Sequence, residues 1–406
     1  MEIIDPAAYG HQFGVKTLEK RSEKSSSESS LKIGLPRERS NDENRISLTP
    51  GGVSVLTENG HEVCIEKDAG KSANHTDHDY TEAGATIAYS SDELYKKSEL
   101  IVKVSPPNRV ECDLLQENQI LFSALHLGNT AEEYLKILIK KNITGIGYEF
   151  IQGADRGFPI VRMMHEITGS MSVQIAAHYL ESNQNGQGIM LGGISGVPPA
   201  IVVILGNGII AEYAARTALG YGAQVFIMDN DLAQLRHLEN ALDRRVITAM
   251  ANPQYLASAL KVADVVIGAA MDEGNRAPCW ITENMVRTMK SGSVIVDTVI
   301  DQGGCVDTSR PTKHTDPVFT KHDVIHYCVP NIPSAVARTA TGALNNVIVP
   351  FLINIGDSGG INEALWSNIG LRNGTYVYKR HLTKKTLSNQ YDLSYRDIDM
   401  LIASSV

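Results

Sequence analysis

The sequence predicts an α/β protein that consists of two doubly wound domains with a cleft between them. The chain has 406 residues, more than one hydrophobic core normally serves, so two domains are expected. Short apolar segments alternate with helical patterns along most of the chain, as in βαβ units that build a parallel sheet. These segments are rich in β-branched residues and show almost no polar alternation, which is typical of strands covered on both faces.

The first domain is expected to begin near Leu31. Residues 21–30, RSEKSSSESS, carry no apolar side chain to bury, so residues 1–30 are expected to form a flexible extension. A helix is predicted from Thr49 onwards. Strands are predicted in the segments LKIGLP, HEVCIEK, ELIVKVSPP, QILFSALH and ITGIGYEF, which together define a domain over residues 31–158.

A second set of strands predicts a second domain over residues 159–337. A helix over residues 170–180 precedes strands in the segments AIVVILGNG, AQVFIMDND, RRVITAM, ADVVIGAAM, GSVIVDTVID and DVIHYCVPN. The apolar segment 336–355 is predicted to be a helix that returns to the first domain. Residues 338–406 would then complete the first domain and make it discontinuous.

Charge and cysteine content narrow the expected partners and compartment. The net charge of −9 gives no basic surface for nucleic acid or an anionic membrane, so a small metabolite is the expected ligand. The five cysteines form no CxxC pair, which favours reduced thiols in the cytoplasm. The N-terminus lacks the pattern of a secretory signal, and no apolar stretch approaches the roughly 20 residues needed to cross a bilayer. We therefore expect a cytoplasmic protein.

Residues 201–216, IVVILGNGIIAEYAAR, are predicted to form a buried strand, a GxGxxA turn and a helix, the pattern of a Rossmann-like dinucleotide site. Gly206 would permit the tight turn, Gly208 would let a pyrophosphate approach the backbone, and Ala211 would let the helix lie close to the strand. The pyrophosphate would then bind the unpaired N–H groups at the start of the helix. Small residues also occur at such turns for packing reasons alone, so the motif needs support from its context.

Asp229 supplies that context. It ends the next predicted strand, about 20 residues later, where a carboxylate can accept hydrogen bonds from the adenosine ribose hydroxyls. A carboxylate there would also repel a 2′-phosphate. The sequence therefore favours a dinucleotide site over a packing turn, and NAD over NADP.

Several longer strings together resemble the family of alanine dehydrogenases and transhydrogenase alpha subunits. They are IGLPRERSNDENRISLTPGGV, GHEVCIEKDAG, LGGISGVPPAIVVILGNG, GSVIVDTVIDQGG and HYCVPNIPSAVARTAT, and they occur in the family's order. The resemblance implies a substrate domain completed by a C-terminal helix, an inserted NAD domain and a homo-oligomer, commonly a hexamer. It also implies NAD-dependent interconversion of L-alanine with pyruvate and ammonium.

This chemistry requires a cation for the substrate carboxylate and an acid/base for the carbonyl oxygen and amine. The resemblance implies that Arg45, in NDENR, binds the carboxylate; from the residues alone, an ion pair with Glu43 or Asp42 is the alternative. It implies that His126, in ALHLGN, is the acid/base, whereas an isolated histidine in an apolar segment is more often a core residue.

Asp301, in VIDQGG, lies at the end of a predicted strand where ligands of doubly wound sheets bind. The resemblance implies that it is a catalytic residue, which touches the nicotinamide ribose and assists the amine or water step. The alternative is a turn-forming aspartate. Asp297, four residues earlier, is the weaker candidate. Further cofactor contacts that the resemblance implies are Ala270, Met271, Val299, Ile300, Arg310, Val329, Asn331 and Ile332.

The chain departs from the family pattern at the substrate site. Where the family has the second lysine of VKVKEP, this chain has Ser105, in VKVSPP. Lys103 lies two residues earlier, and residues two apart in a strand point to the same face, so Lys103 is a candidate replacement for the missing cation. Both Lys103 and Ser105 are therefore candidate substrate-binding residues.

Other departures concern the cofactor and a metal. His165 stands where the family commonly has a serine that touches the cofactor, and it is a candidate to replace that contact. Ile332 replaces a common methionine near the nicotinamide, whereas Asn331 is retained. Some relatives carry a metal-linked glutamate and histidine on the returning helix, where this chain has Asn354 and Ser358, so no metal is expected.

The favoured function is therefore NAD-dependent oxidative deamination of L-alanine and the reverse reductive amination. One alternative is a related opine-type or saccharopine-like dehydrogenase, in which a larger amine replaces ammonium. The other is a non-catalytic NAD-binding subunit like the soluble domain of transhydrogenase. The presence of both Arg45 and His126 argues against the non-catalytic subunit.

Overall fold

Two separate, mostly parallel sheets organise the chain, as the sequence predicts for two α/β domains. The computed structural model describes residues 29–40, 42–125, 132–153, 155–271 and 276–404. The strands are β1 (Lys32–Leu35), β2 (Glu62–Glu66), β3 (Thr86–Ala88), β4 (Leu100–Val102), β5 (Ile120–Ser123), β6 (Thr144–Gly147), β7 (Ile201–Leu205), β8 (Gln224–Asp229), β9 (Ile247–Met250), β10 (Val265–Gly268), β11 (Val294–Asp297), β12 (Val318–Lys321), β13 (Val324–Tyr327), β14 (Thr375–Tyr378) and β15 (His381–Leu382).

Helices cover both sheets. They are α1 (Pro50–Glu58), α2 (Asp77–Glu82), α3 (Ser91–Lys97), α4 (Arg109–Leu114), α5 (Glu132–Lys140), α6 (Pro159–Tyr179), α7 (Ile209–Tyr221), α8 (Leu232–Ala241), α9 (Pro253–Val262), α10 (Glu283–Val286), α11 (Ala337–Asp357), α12 (Ile361–Ser367), α13 (Ile369–Gly374), α14 (Lys385–Tyr391) and α15 (Ile398–Ala403). Each sheet separates two hydrophobic cores, one on either face, as its unbroken apolar strands require.

The first sheet has the strand order β15-β14-β6-β5-β4-β1-β2-β3. Its strands from β6 to β3 are parallel, whereas β14 pairs antiparallel with β6 and β15 pairs antiparallel with β14. The last two strands follow the whole second sheet in the sequence. The chain therefore returns to the first sheet after it has completed the second.

The second sheet has the order β12-β13-β11-β10-β7-β8-β9, in which only β12 runs antiparallel to its neighbour. Without β12, this is the strand order of dinucleotide-binding Rossmann sheets. The order reverses between β7 and β10, which are hydrogen-bonded neighbours. In such sheets, ligands bind outside the carboxyl ends of the strands at this point of reversal.

Two helices of 21 residues each, α6 and α11, join the domains and pack against each other. The sequence prediction placed the start of α6 at residue 170, which is wrong, because the helix begins at Pro159, a residue that favours the first helical turn. Gly169 lies in the middle of α6, where an added Cβ would lie 2.5 Å from the carbonyl oxygen of Ile210. This glycine lets α6 lie directly against the first turn of α7.

The segment Ile332–Asp357, which contains α11, is the one helical stretch in the described part of the chain that is long and apolar enough to span a membrane. Length and composition alone single it out. Its residues Leu344, Ile348 and Leu352 are buried in the core of the first domain. The segment therefore serves as a core helix in this fold.

The fold also has elements that the sequence patterns did not predict, including β3, β12, β14 and β15. These strands have two to four residues each, too few to show a period. At the other end, the backbone N–H of Ser29 donates to the carbonyl of Gly356, and Ser30 Oγ donates to the carbonyl of Gly60. The expected flexible extension, apart from these two serines, lies outside the described residues.

Candidate active site

A cavity of about 500 Å³ lies between the two domains. Its walls are built by loops that leave the carboxyl ends of β1, β4, β5 and β6 on one side and of β10, β11 and β13 on the other, together with α6. The carboxyl ends of the strands are the edge at which doubly wound sheets bind ligands, and in both sheets this edge faces the cavity. The polar residues of the lining include Glu43, Arg45, Ser105, Glu149, His165, Asp301 and Asn331.

Arg45 lies in the cavity wall of the first domain and is 7% exposed. Its Nε and Nη2 each donate to one carboxylate oxygen of Glu43, both at 2.7 Å. The remaining nitrogen, Nη1, has only the Met164 sulfur at 3.2 Å as a partner within the described residues. The ion pair that the sequence offered as an alternative is thus present, but it is buried and lines the cavity, and it leaves one edge of the guanidinium for a ligand.

Glu43 receives hydrogen bonds from three side chains. Besides Arg45, Ser105 Oγ donates to Glu43 Oε2 at 3.0 Å, and Asn331 Nδ2 donates to the same oxygen at 3.1 Å. Burial by itself would raise the pKa of Glu43, but the hydrogen bonds and charge of Arg45 outweigh burial and hold this pKa below its usual value. Glu43 is therefore an ionised carboxylate inside the cavity wall. Ser105, expected at the substrate, is bonded to it.

Lys103 does not line the cavity. Its Nζ lies 3.1 Å from a carboxylate oxygen of Glu38 and 2.8 Å from one of Glu111, and all three side chains are buried. Burial would lower the pKa of Lys103, but the two carboxylates raise it, so the ammonium stays charged. The hypothesis that Lys103 replaces the missing substrate cation is therefore contradicted by its position.

His126 lies outside the described residues, so its predicted role stays a prediction. The residue before it, Leu125, donates its backbone N–H to both carboxylate oxygens of Glu149, at 2.8 and 3.0 Å. Glu149 lines the cavity and was missed by the sequence analysis. The available signal was its place near the carboxyl end of a predicted strand segment, ITGIGYEF, where polar residues of parallel sheets reach ligands.

The turn from β7 to α7 has the geometry of a dinucleotide site. Gly206 has φ +115°, and a Cβ added there would lie 2.4 Å from the carbonyl oxygen of Ala269, so only glycine fits. A Cβ added to Gly208 would meet nothing within 4 Å, and no side chain caps the first turn of α7. Ala211 is fully buried between helix and sheet. The turn therefore offers open space in front of uncapped N–H groups, which suits a pyrophosphate.

Asp229 ends β8 beside this turn. Its Oδ1 accepts hydrogen bonds from Asn207 Nδ2 at 2.9 Å and from the backbone N–H of Asp231 at 2.8 Å. Its Oδ2 has no protein partner in the described ranges. The carboxylate is thus held in place through one oxygen and presents the other, as hydrogen bonding to a ribose requires. The contribution of Asn207 was not predicted, because the middle position of GNG carries no pattern of its own.

The cavity also contains most of the residues expected to touch the nicotinamide end of a cofactor. His165 has no hydrogen-bond partner in the part of the chain that the structure describes, and burial lowers its pKa, so the ring is neutral at pH 7. Asp301 lies in the short 3-10 turn Ile300–Gln302 that follows β11. The other expected contacts that line the cavity are Met271, Val299, Asn331 and Ile332.

Besides Gly206, Gly208 and Ala211 of the nucleotide turn and Asp229 beside it, four expected cofactor contacts do not line the cavity. Ile300 and Val329 are buried. Ala270 lies behind the glycine turn, where a Cβ added to Gly206 would approach its backbone nitrogen to 2.8 Å. Arg310 places its guanidinium over the ring of Phe319, 4.4 Å from the centroid.

Asp297, the weaker candidate beside Asp301, is fully buried at the end of β11. It accepts a backbone hydrogen bond from Cys305 at 3.1 Å, and burial raises its pKa. Asp297 therefore has a structural role, because its hydrogen bond to Cys305 stabilises the turn after β11. In the described ranges, no three His, Cys, Asp or Glu side chains converge as metal ligands would. Asn354, at one position where some relatives have a metal-linked residue, accepts a hydrogen bond from Asn368.

Comparison with known proteins agrees with the motifs. The model for the N-terminal domain of alanine dehydrogenase/PNT matches residues 34–168, and the model for its C-terminal domain matches residues 172–385. An alanine dehydrogenase from Methanococcus maripaludis is 43% identical over 364 residues, which cover 89% of this chain and 97% of that protein. One from Staphylococcus haemolyticus is 42% identical over 370 residues, which cover 91% of this chain and 98% of that protein.

Solved structures give the same result. An L-alanine dehydrogenase structure superposes with a TM-score of 0.84 at 40% identity, covering 89% of this chain and 99% of that one. A transhydrogenase from Sinorhizobium meliloti superposes with a TM-score of 0.74 at 20% identity, covering 87% of this chain and 99% of that one, a likeness of fold alone. The family resemblance drawn from the motifs is thereby confirmed, and the chain belongs to the alanine dehydrogenase/PNT family.

Proposed function

We propose that this chain is a cytoplasmic alanine dehydrogenase that interconverts L-alanine with pyruvate and ammonium, using NAD. The observation that carries the proposal is the cavity between the domains, which is lined by a buried arginine from one domain and by the loops after β10, β11 and β13 from the other. The dinucleotide turn follows β7, the strand next to β10 in the second sheet. Relatives named alanine dehydrogenase match over most of both chains, so the same architecture accompanies that activity elsewhere. A substrate domain of residues 31–158 and 338–406, an NAD domain of residues 159–337 and a homo-oligomer are parts of the proposal.

The residues of the second domain fit NAD. Gly208 and the uncapped first turn of α7 would bind the pyrophosphate, and the open oxygen of Asp229 would accept from the adenosine ribose. A bound nicotinamide supplies the acceptor or donor of the hydride. Because Asp229 is held by Asn207 and cannot easily turn away, a 2′-phosphate would meet a fixed negative charge, which favours NAD over NADP.

The first domain would bind the substrate. Arg45 would hold the carboxylate through its Nη1 edge, since Glu43 occupies the Nε and Nη2 edge. Asp301, across the cavity, would lie at the nicotinamide ribose and the amine. His126, outside the described residues, is the proposed acid/base for the carbonyl oxygen.

Closure of the two domains would keep water away from the reacting carbon. The lining favours this, because Tyr148, Ile160, Met164 and Leu344 form an apolar part of the wall. The charge of Arg45 is already balanced by Glu43, and Ser105 brings no second cation. We therefore expect a Michaelis constant for pyruvate above that of relatives with a lysine at this position.

The test is an assay of the purified chain for NADH oxidation with pyruvate and ammonium. Glyoxylate and 2-oxobutyrate should be poorer substrates, larger primary amines should not replace ammonium, and NADPH should bind at least about tenfold more weakly than NADH. Faster turnover with a larger amine would instead indicate an opine-type enzyme. NADH binding without any turnover would indicate a non-catalytic subunit.

A further inference from the structure

The side chain of Glu43 is bonded from both domains. Arg45 and Ser105 belong to loops of the first sheet, whereas Asn331 follows β13 of the second sheet, and all three donate hydrogen bonds to this carboxylate. Glu43 is also among the most deeply buried charges of the cavity wall, with its side chain 1% exposed. A buried carboxylate between two domains is costly unless every donor stays in place.

Glu43 fixes the direction in which Arg45 faces. The carboxylate binds side-on to the guanidinium, and it also accepts the backbone N–H of Arg45 at 3.1 Å. Two parallel hydrogen bonds in one plane leave the guanidinium little freedom to rotate. Its Nη1 edge is therefore held towards the cavity before any ligand binds.

More than one hydrogen bond joins the segments around Glu43 and Asn331. The backbone N–H of Asn44 donates to Ser334 Oγ at 2.8 Å, and Ser334 Oγ donates to the carbonyl of Asp42 at 2.6 Å. Asn331 itself has a left-handed backbone, with φ +63°, which aims its side chain across the cleft. The Ser334 hydroxyl bonds to backbone groups of Asp42 and Asn44, whereas Asn331 donates to the carboxylate that orients Arg45.

We infer that Glu43 is a positioning residue that couples the two binding sites, because it aligns Arg45 for the substrate carboxylate and holds Asn331 at the nicotinamide end of the cavity. This inference rests on the proposed function. Each ligand then orders the same carboxylate from its own side, so the binding of one makes the binding of the other tighter. Without the link through Glu43, the two sites would lie in one cavity and bind independently.

The donor set explains why the residue must be a carboxylate. Five hydrogen bonds reach Glu43 from Arg45, Ser105 and Asn331, and none of them runs the other way. A glutamine at this position would present an NH2 group to at least one of these donors. That exchange removes a charge-assisted contact and leaves a buried donor unpaired.

Two variants, each of which removes one donor to the same oxygen of Glu43, test the coupling. N331A removes the cross-domain donor to Glu43 Oε2, and S105A removes a donor to the same oxygen from within the first domain. NADH dissociation constants are measured by fluorescence, in ammonium-free buffer, with and without saturating pyruvate. We expect pyruvate to tighten NADH binding by at least about fivefold in the unmodified chain and in S105A, and by less than about twofold in N331A.

E43Q and E43D extend the test to the carboxylate itself. E43Q should lose the coupling and raise the Michaelis constant for pyruvate about tenfold or more, and E43D should recover part of both, because it keeps the charge. Thermal melting checks that each variant is folded, and if E43Q does not fold, the N331A and S105A pair decides. Equal coupling in N331A and the unmodified chain would overturn the inference. An unmodified chain that turns over pyruvate without any coupling would also overturn it, whereas a chain without turnover would overturn the proposed function instead.

Discussion

The two walls of the cavity hold their polar groups in different ways. In the first domain, Arg45 of the cavity wall is already bonded to Glu43, and the buried Lys103, which does not line the cavity, is bonded to Glu38 and Glu111. In the second domain, Gly208 of the nucleotide turn faces open space, and His165, in the cavity wall, has no protein partner within the described residues.

This difference means that substitutions in the two domains should differ in their effects on the stability of the fold and on the affinity for a ligand. Removing one member of a buried ion pair leaves an uncompensated charge, so substitutions on the first wall should disturb the fold as well as binding. Groups on the second wall have few protein partners to lose. Substitutions there should change affinity for a ligand and leave the folded state almost unchanged.

The largest effect is expected from R45M. The variant loses the only cation among the described residues of the cavity lining, so catalytic efficiency with pyruvate should fall about 1,000-fold or more. Steady-state kinetics with pyruvate, ammonium and NADH measure it. R287M is the matched control, because Arg287 forms an exposed ion pair with Glu283 on the second domain and should change activity by less than about twofold. Similar kinetics for R45M and R287M would remove Arg45 from the substrate site.

K103M should affect stability far more than activity. It leaves Glu38 and Glu111 buried without their cation, which should reduce the free energy of unfolding by about 3–5 kcal/mol. Urea denaturation measures the loss. The exposed pair of Lys96 with Asp92 supplies the control K96M, with an expected loss below about 1 kcal/mol.

The loss in K103M should depend on pH. Burial raises the pKa of Glu38 and the charge of Lys103 lowers it, so removal of the ammonium should raise the pKa of Glu38 further above its value in the unfolded chain. A carboxyl group whose pKa is raised on folding destabilises the protein as pH increases. The loss should therefore be larger at pH 8 than at pH 5.5. A raised Michaelis constant for pyruvate with unchanged stability would show instead that Lys103 reaches the substrate.

The two glycines of the nucleotide turn should differ in how their substitution affects NADH affinity and stability. G208A places a methyl group in open space where the pyrophosphate is proposed to bind, so NADH affinity should fall about tenfold with an unchanged melting temperature. G206A strains a positive φ and collides with a carbonyl oxygen, so it should lower the melting temperature as well as the affinity. Equal melting temperatures for the two variants would contradict the difference in backbone geometry.

The smallest effect is expected from His165. Burial lowers its pKa, and an anionic cofactor beside the ring would favour the charged form, so NADH should bind about threefold more tightly at pH 6 than at pH 8. H165S should flatten this dependence. H178S is the control, because His178 lies on the same helix, is 52% exposed and pairs with Glu181. A flat profile in the unmodified chain would show that protonation of His165 does not contribute to NADH binding.

The parallel strands β1, β2, β4 to β11 and β13 and the nucleotide turn were predicted from features of the sequence itself. Unbroken apolar segments identify the parallel strands. The nucleotide turn requires positions without a side chain, and the glycines in the sequence mark these positions. The partners of buried charges, by contrast, could not be predicted from the sequence. Glu43 lies two residues from Arg45, yet nothing in the spacing says that Asn331, 288 positions away, completes its bonding.

The error over Lys103 has a physical reason. The expectation that residues 103 and 105 share a face requires a continuing strand, but β4 ends at Val102. Beyond it the chain turns, so the period of two no longer applies. Ser105 lines the cavity, whereas Lys103 is bonded to Glu38, in the loop after β1, and to Glu111, in α4.

The return of the chain to its first sheet has a consequence for biosynthesis. During translation, every strand of the second sheet leaves the ribosome before β14, which pairs with β6, has been made. Until then β6 exposes an unpaired edge, which can template pairing with a neighbouring nascent chain. We expect chains shortened before residue 375 to aggregate when expressed, even though their nucleotide-binding half is complete.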